Sequence, residues 1–270
     1  MKNSLSKVIL LTALASAITV PANAAGLNTL NEGFNNISTL ALSGWAFQNN
    51  SNPTPAETTS TANWGQGVAG NPINAQSGAA NSYISVSGED STAGDANGEN
   101  GTVSNWLITP ELNFQGSYFT FFTRTSLGAP NPPYLEVRLS NNGSSTNVGS
   151  TASDVGDFTT VITALGSLDG SVTYPGALST SNAWQAYTFL VSTSGSGRIA
   201  FRYYTPNGGP NGAQSSLIGI DTVSYGNLST PPSTPPTIVV PEPSSVLGLL
   251  TLGGFGLTAS RRGKSKNALR

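Results

Sequence analysis

Carboxylates are the side chains in this sequence that could carry out acid–base or metal chemistry. The chain has no histidine and no cysteine, which removes the Ser–His and Cys–His pairs that activate most nucleophiles. A glycosidase needs only two carboxylates, and Glu136 and Asp221 are the candidates for such a pair. A solvated strand face explains Glu136 equally well, and a turn or a metal ligand explains Asp221. We therefore predict a protein that is not an enzyme and keep a glycosidase as an alternative.

One loop concentrates acidic residues. Four carboxylates fall within eleven residues, among glycines and asparagines: Glu89, Asp90, Asp95 and Glu99. Carboxylate and amide oxygens on a flexible loop are suitable ligands for Ca²⁺, although the spacing is not that of an EF-hand. A solvated acidic loop is the alternative interpretation. We predict that no cofactor is required and that Ca²⁺ is a candidate structural ion.

A glycine pattern at residues 65–70 matches the spacing G-x-G-x-x-G. That spacing binds dinucleotides only where a strand precedes it and a helix follows it. Asn71-Pro72 follows here, and no helix can be recognised downstream. The segment is therefore predicted to be a loop without a nucleotide.

The central part of the chain is strongly acidic. All thirteen acidic residues lie between Glu32 and Glu242, and the only basic residues in that span are four arginines, which gives a net charge of −9. Such a surface repels nucleic acid and favours a cation as partner. At about 220 residues, the part between the chain ends is long enough to bury a sizeable core without disulfides.

Alternating hydrophobic and polar residues predict β-strands. In the segment Tyr134–Ser140, Leu135, Val137 and Leu139 fall on one face, while Glu136 and its polar neighbours fall on the other, which is typical of a half-buried strand. Other candidate strands are residues 83–87, 106–109, 118–125, 158–164, 184–191, 198–203 and 217–225. Turn residues separate them, and no amphipathic helix of ten residues is evident. These features predict an all-β protein, a jelly-roll-like antiparallel β-sandwich over residues 25–227.

The N-terminus has the features of a secretory signal peptide over residues 1–24. Lys2 and Lys7 form a positive region, and residues 8–20 form a short apolar core. Ala22 and Ala24 supply the small residues of a cleavage site, so the exported chain is expected to begin near residue 25. This predicts passage through the Sec translocon.

The C-terminus combines four features in a fixed order. A linker rich in Pro, Thr and Ser (residues 228–239) precedes the triplet Pro241, Glu242 and Pro243. An uncharged apolar segment (residues 246–259) follows, and a basic tail (residues 261–270) begins with Arg261 and Arg262. The apolar segment is short of the roughly 20 residues of a stable membrane helix, and the basic residues favour the cytoplasmic side.

Residues 240–270 resemble a PEP-CTERM sorting signal. The resemblance implies recognition by an exosortase, transient membrane contact through a hydrophobic helix at residues 246–259, and release of the body to the cell surface or matrix. The implied host is a Gram-negative bacterium, with transient anchoring in its inner membrane.

Three blocks of the body resemble a second family. They are residues 32–36 with Gly44-Trp45, residues 105–110 leading to residues 134–140, and residues 197–203 with residues 219–223. Together they are similar to the choice-of-anchor J domain, an extracellular domain found with varied surface-anchoring tails. The resemblance implies a jelly-roll fold and a structural calcium where the first and last strands meet, with Glu32 and Asp221 as candidate ligands.

Several functions fit these features. We predict an exported surface or extracellular-matrix protein with a structural or adhesive role, and a carbohydrate-binding module is the alternative. An ice-binding protein is a further alternative, although no flat, regular threonine array is present. Flat aromatic rings stack on sugars, so Trp45 and Trp64 are candidate glycan-stacking residues and extracellular polysaccharide is a candidate partner. The sequence leaves the ligand unnamed.

Overall fold

The described part of the chain forms ten antiparallel β-strands. The computed structural model describes residues 26–55, 63–131, 133–169, 171–177, 184–214 and 216–226. The strands are β1 (Leu30–Glu32), β2 (Ala46–Asn49), β3 (Gly65–Gln66), β4 (Ile84–Val86), β5 (Gly101–Ile108), β6 (Leu112–Thr125), β7 (Leu135–Ser140), β8 (Thr160–Leu165), β9 (Gln185–Gly208) and β10 (Ile218–Gly226). The all-β prediction is confirmed.

The strands form two layers. In the first sheet, β10 is paired with β6 on one edge and with β1 and β4 on the other, and β3 pairs with β4. In the second sheet, β2 pairs with β5 and β8 pairs with β7. The strand β9 belongs to both layers, so all ten strands form one continuous sheet that folds back on itself as a sandwich.

The long strand β9 joins the two layers. Its residues 185–197 pair with β6, its residues 198–203 pair with β7 and its residues 200–208 pair with β5. Gly195, with a φ of +96°, lies close to the crossing, where glycine tolerates a backbone that other residues rarely adopt. The sequence predicted two separate strands here, residues 184–191 and 198–203. They are parts of one strand because the intervening residues 194–197 continue the pairing with β6.

The main core lies between the layers. Leu135, Val137 and Phe201 from the second sheet are fully buried together with Phe119 and Phe121 from the first. The ring centroid of Phe201 is 5.0 Å from that of Phe121 and 5.8 Å from that of Phe119. Each buried aromatic or aliphatic side chain of this size contributes about 1.5–3 kcal/mol to folding. The predicted inward face of residues 134–140 is therefore confirmed.

The outer face of the second sheet is also covered, which corrects the prediction of a half-buried strand. Glu136 on this face is only 7% exposed. The connection between β7 and β8 places Val148 and Phe158 against Trp106 and Ala200, and these residues form a second hydrophobic cluster. The alternation within β7 gives no signal for this cover, because the covering residues come from the connection that follows the strand.

A single turn-rich helix interrupts the strands near the start of the described chain. A 3₁₀ helix spans Ile37–Ser43, begins where the Asn36 side chain accepts a hydrogen bond from the Ser38 N–H, and ends at Gly44 with a φ of +88°. Within the described ranges, no helix is long and apolar enough to cross a membrane.

A buried ionic network fixes the covering connection to the second sheet. Glu136 Oε2 accepts hydrogen bonds from Arg138 Nε at 2.6 Å and from Arg202 Nη1 at 3.0 Å. Arg202 also donates to the carbonyl oxygen of Ala152 at 2.6 Å, and its guanidinium lies 4.9 Å from the centroid of the Trp106 ring. Burial acts to raise the pKa of Glu136, but the hydrogen bonds and charges of the two arginines outweigh it and hold the pKa below its ordinary value.

The ionic network predicts that removing the Glu136 charge lowers the free energy of unfolding in a pH-dependent way. Glu136→Gln leaves buried Arg202 without its counter-charge, so we expect the free energy of unfolding at neutral pH to fall by about 3 kcal/mol. Because the folded-state pKa is lowered, the contribution of Glu136 is complete above its ordinary pKa and is lost as the pH falls through the folded value. Urea unfolding from pH 7 to pH 3 should therefore show the two proteins converging in acid. Glu99→Gln, at an exposed position, is the control, and a difference that does not change with pH would contradict the assignment.

Candidate functional site

An open groove of about 1000 Å³ lies beside the β3–β4 edge of the first sheet. Five separate parts of the chain line it: Ile37, residues within 63–72, residues within 85–90, Pro130 with Asn131, and Pro210 with Ser216 and Leu217. Its volume is at the upper end of the range for small-molecule sites. The groove is large enough to accommodate a ligand.

Two polar side chains, the half-buried Gln66 and the buried Tyr83, fix the wall formed by residues 63–72. The Gln66 amide accepts from the Ile37 N–H at 3.0 Å and donates to the carbonyl oxygens of Phe34 at 2.8 Å and Asn81 at 2.6 Å. The Tyr83 hydroxyl donates to the carbonyl oxygen of Val68 at 3.0 Å. Burial raises the pKa of Tyr83, which keeps the hydroxyl protonated as a donor. The wall is therefore braced from behind.

Glycine is required where this wall packs on Tyr83. A side chain at Gly67 would overlap the Tyr83 ring. The segment that matched G-x-G-x-x-G begins in the two-residue strand β3 and continues as the predicted loop from Gly67, with no helix after it. The glycine at position 67 permits a close approach to an aromatic ring.

A tight turn places two adjacent carboxylates in the groove. Ser87 Oγ accepts from the Glu89 N–H at 3.1 Å, and the Ser91 hydroxyl donates to the carbonyl oxygen of Ser87 at 2.6 Å. Glu89 and Asp90 lie at the top of this turn, and both line the groove. The hydrogen bonds within the turn use backbone and serine groups and leave the two carboxylates unused.

Most other carboxylates already serve the fold. Of the eleven acidic residues in the described ranges, seven accept hydrogen bonds from this protein through their carboxylates: Glu32, Asp95, Glu136, Asp154, Asp157, Asp169 and Asp221. Four do not: Glu89, Asp90, Glu99 and Glu111. The adjacent pair in the groove therefore makes up two of the four described carboxylates that accept no hydrogen bond from the protein.

Three asparagines complete the polar lining. Asn63, Asn71 and Asn131 all line the groove, and no described residue hydrogen-bonds to their side-chain amides. Asn131 uses only its backbone, which accepts from the Ser216 N–H at 3.1 Å. Sequence reasoning missed these three residues. The dipeptides Asn71-Pro72 and Asn131-Pro132 mark turns, but a turn does not reveal which groove it borders.

Trp64 lines the groove and carries an unsatisfied donor. Its side chain is 97% buried, with 3% exposure, and its indole N–H has no hydrogen-bond partner. A buried donor without an acceptor costs about 1–3 kcal/mol. A ligand oxygen that entered beside Trp64 would remove that cost.

The burial of Trp45 and Trp64 corrects the prediction that they stack on sugars. Each is 3% exposed, and both belong to the main core. Trp45 packs edge-on against Phe34, with ring centroids 5.5 Å apart. Neither ring has a free face, because side chains between the sheets cover both.

The acidic loop is folded around one of its own carboxylates. Asp95 accepts from the N–H groups of Asn97 at 2.9 Å and Glu99 at 3.1 Å, and from the Asn100 amide at 3.0 Å. These hydrogen bonds, with that from the Asn100 amide contributing most, lower the pKa of Asp95. Glu89 and Asp90 lie in the groove instead, so the loop does not gather its four carboxylates around one point.

Glu32 and Asp221 do lie near the junction of the first and last strands. Glu32 pairs with Val223 in the β1–β10 ladder, and its carboxylate accepts from the Phe34 N–H at 2.7 Å. Asp221 is fully buried and accepts from the N–H groups of Gln76 and Ser77 at 2.7 and 3.1 Å. No group of three or more His, Cys, Asp or Glu side chains in the described ranges is arranged to hold a metal ion. Calcium binding at this junction or at the acidic loop stays a prediction.

Glu136 and Asp221 do not form a catalytic pair. Glu136 lies on β7 in the second sheet and is neutralised by two arginines, whereas Asp221 lies on β10 in the first sheet. Burial raises the pKa of Asp221, and the N–H groups of Ser77, Gln76 and Thr222 oppose that increase. Glu136 forms ion pairs with two arginines, and Asp221 accepts hydrogen bonds from backbone N–H groups.

The predicted features at both ends of the chain lie outside the described residues. These are the signal peptide with Ala22 and Ala24, the linker at residues 228–239, the triplet Pro241, Glu242 and Pro243, the apolar segment at residues 246–259, and the basic tail with Arg261 and Arg262.

Comparison with known proteins identifies the sorting signal. A family model described as the PEP-CTERM protein-sorting motif matches residues 239–262. The motif marks an exported protein that an exosortase sorts to the cell surface, so the C-terminal prediction is confirmed at that level. The match covers a small part of the chain and leaves the family of the body open. No curated protein sequence matches the chain.

Solved structures similar to the body are β-sandwich domains. The K1 cleaved adhesin domain of Lys-gingipain from Porphyromonas gingivalis W83 has a TM-score of 0.48 and 20% identity, over 74% of this chain and 98% of that one. The K3 domain of the same protein has a TM-score of 0.43 and 17% identity, over 73% and 98%. TmCBM61, solved with β-1,4-galactotriose, has a TM-score of 0.37 and 14% identity, over 71% and 94%. The resemblance to the choice-of-anchor J domain stays a prediction.

Asp221 provides a test that separates a structural carboxylate from a calcium ligand. Asp221→Asn weakens the acceptor shared by Gln76 and Ser77, so we expect a loss of about 2 kcal/mol, or about 4–8 °C in melting temperature for a domain of this size. Melting should be measured for the full chain with millimolar calcium and with excess chelator. We expect the loss in both conditions. A loss confined to calcium would instead assign Asp221 to a metal site.

Proposed function

We propose that this exported protein is a non-catalytic adhesive component of the cell surface or extracellular matrix, and that it binds extracellular polysaccharide through the groove. The observation that carries the proposal is the set of polar side chains lining the groove without partners in the described structure. Asn63, Asn71, Glu89, Asp90 and Asn131 all have hydrogen-bonding capacity that the fold does not use.

The chemistry of the groove suits a sugar chain. A sugar residue presents closely spaced hydroxyl groups that both donate and accept, and amide and carboxylate side chains complement both roles. Pro72, Pro130 and Pro210 also line the groove and supply apolar surface for the C–H faces of a sugar ring. An open groove, rather than a closed cavity, allows an internal stretch of a polymer to bind.

The braced wall favours binding over turnover. Gln66 and Tyr83 hold the residue 63–72 wall through hydrogen bonds to backbone carbonyls of Phe34 and Val68. A wall fixed in this way loses little conformational entropy when a ligand binds. Adhesion requires that the bound polysaccharide stays attached to the groove. We propose no hydrolytic step there.

The proposed route to the surface follows from the ends of the chain. The Sec translocon would export the chain after cleavage near residue 25, and the apolar segment at residues 246–259 would hold it briefly in the inner membrane of a Gram-negative host. The linker at residues 228–239 would separate the body from the triplet Pro241 to Pro243 during processing, since proline-rich segments are stiff and extended.

The proposal predicts that amide truncation weakens glycan binding without weakening the fold. The variant Asn63→Ala with Asn131→Ala removes two ligand-facing amides that make no hydrogen bond inside the protein. We expect the affinity for the best ligand on a glycan array to fall about ten-fold, since each lost hydrogen bond costs about 0.5–1.5 kcal/mol. The melting temperature should stay unchanged.

The matched control is Asn31→Ala with Asn97→Ala, two exposed positions outside the groove. The control should bind as the parent protein does. Equal binding by all three proteins would place the glycan site elsewhere, and release of reducing ends from the bound glycan would contradict the non-catalytic role.

A further inference from the structure

The groove has a one-sided charge. Two carboxylates line it, Glu89 and Asp90, and no arginine, lysine or histidine is among the described residues that do so. The body has only four basic residues in all. The described lining of the groove therefore carries two negative charges and no positive charge.

The arginines of the body are committed to other contacts. Arg138 and Arg202 bond to Glu136. Arg198 donates to the carbonyl oxygens of Gly44 and Thr109. Arg124 is buried and donates to the carbonyl oxygen of Thr125. No described basic side chain lines the groove to neutralise Glu89 and Asp90, so the positive charge would come from a bound cation or from the ligand.

Ligand binding would make this charge more costly. A sugar chain that covers the groove takes water away from both carboxylates, and a desolvated charge is unfavourable unless it is paired. A neutral hydroxyl donates a charge-assisted hydrogen bond to a carboxylate but brings no opposite charge, whereas a protonated amine brings both the hydrogen bond and the counter-charge. A uronate or sulfate ester would add repulsion.

The buried Trp64 N–H is a second observation at this wall, because Trp45 and Trp64 both have an indole N–H without an acceptor but only Trp64 lines the groove. Its donor has no acceptor in the folded protein, and Trp64 lines the groove next to Asn63. A cation cannot satisfy a donor, so the ligand has to bring an oxygen acceptor as well as positive charge. Amino sugars carry both a hydroxyl oxygen and an amine on one ring.

We propose that the groove selects polysaccharides that carry free amino groups, such as a partly deacetylated amino-sugar polymer. Glu89 and Asp90 accept hydrogen bonds from the ammonium group, and the asparagines and Trp64 bond to ring and hydroxyl oxygens. This inference rests on the proposed function, because it names the class of glycan that the same groove takes.

The test compares two oligosaccharides that differ only in acetylation. The full chain is titrated by calorimetry with a glucosamine hexamer and with an N-acetylglucosamine hexamer at about pH 6, where carboxylates are ionised and most amines are protonated. We expect the glucosamine hexamer to bind at least ten-fold more tightly. Its affinity should fall as salt is raised, since exposed charge pairs are screened.

Two variants with the same change in net charge separate the effect of the groove carboxylates from the effect of the overall charge of the protein. Glu89→Gln with Asp90→Asn should abolish the preference for the amine, and Glu99→Gln with Glu111→Gln should retain it. Equal loss in both variants would assign the preference to the overall charge and overturn the inference.

The outcomes also distinguish this inference from the proposed function. Tight binding of the N-acetylated hexamer that Asn63→Ala with Asn131→Ala weakens would keep the glycan site and reject the amine specificity. If neither hexamer binds but another glycan binds in the groove, the amine specificity alone is wrong. If no glycan binds the groove, both proposals are wrong.

Discussion

The strand β9 is the constraint on which the rest of the sandwich depends. Its 24 residues pair first with β6 and then between β5 and β7, so the two layers cannot slide past each other without breaking one strand. A side chain at Gly197, where the strand passes Ser140, would overlap the Ser140 carbonyl. Since Phe201 on the same strand contacts both Phe119 and Phe121, the crossing also fixes the packing of the core.

In this sandwich some polar side chains stabilise the fold, and others remain available on the surface for a ligand. Glu136, Arg202 and Asp221 are buried and fully engaged, and they hold connections onto the sheets. Glu89 and Asp90 are held in place through the backbone of their turn, so their carboxylates remain available. Buried polar groups have to be paired to be tolerated, and two of the four described carboxylates that accept no hydrogen bond, Glu89 and Asp90, line the groove.

The sequence predicted what is local and missed what is assembled from distant segments. Alternation identified the central strands, and the sorting signal is one continuous stretch. The strands β1, β2 and β3 have three, four and two residues, too few to show a period. The cover over Glu136 and the groove could not be predicted, because both bring together segments that are far apart in sequence. Trp45 and Trp64 were wrongly predicted to stack on sugars, because the residue type alone does not show whether a tryptophan lies in the core or on the surface.

The indole N–H of Trp64 provides the most direct test that the groove is a ligand site. In a ¹H–¹⁵N spectrum of the full chain, each of the four tryptophans gives one indole signal, and Trp64→Phe identifies that of Trp64. We expect addition of the bound oligosaccharide to move the Trp64 signal downfield, as its donor gains an acceptor, and to leave that of Trp45 unchanged. An unchanged Trp64 signal at saturating ligand would contradict the account.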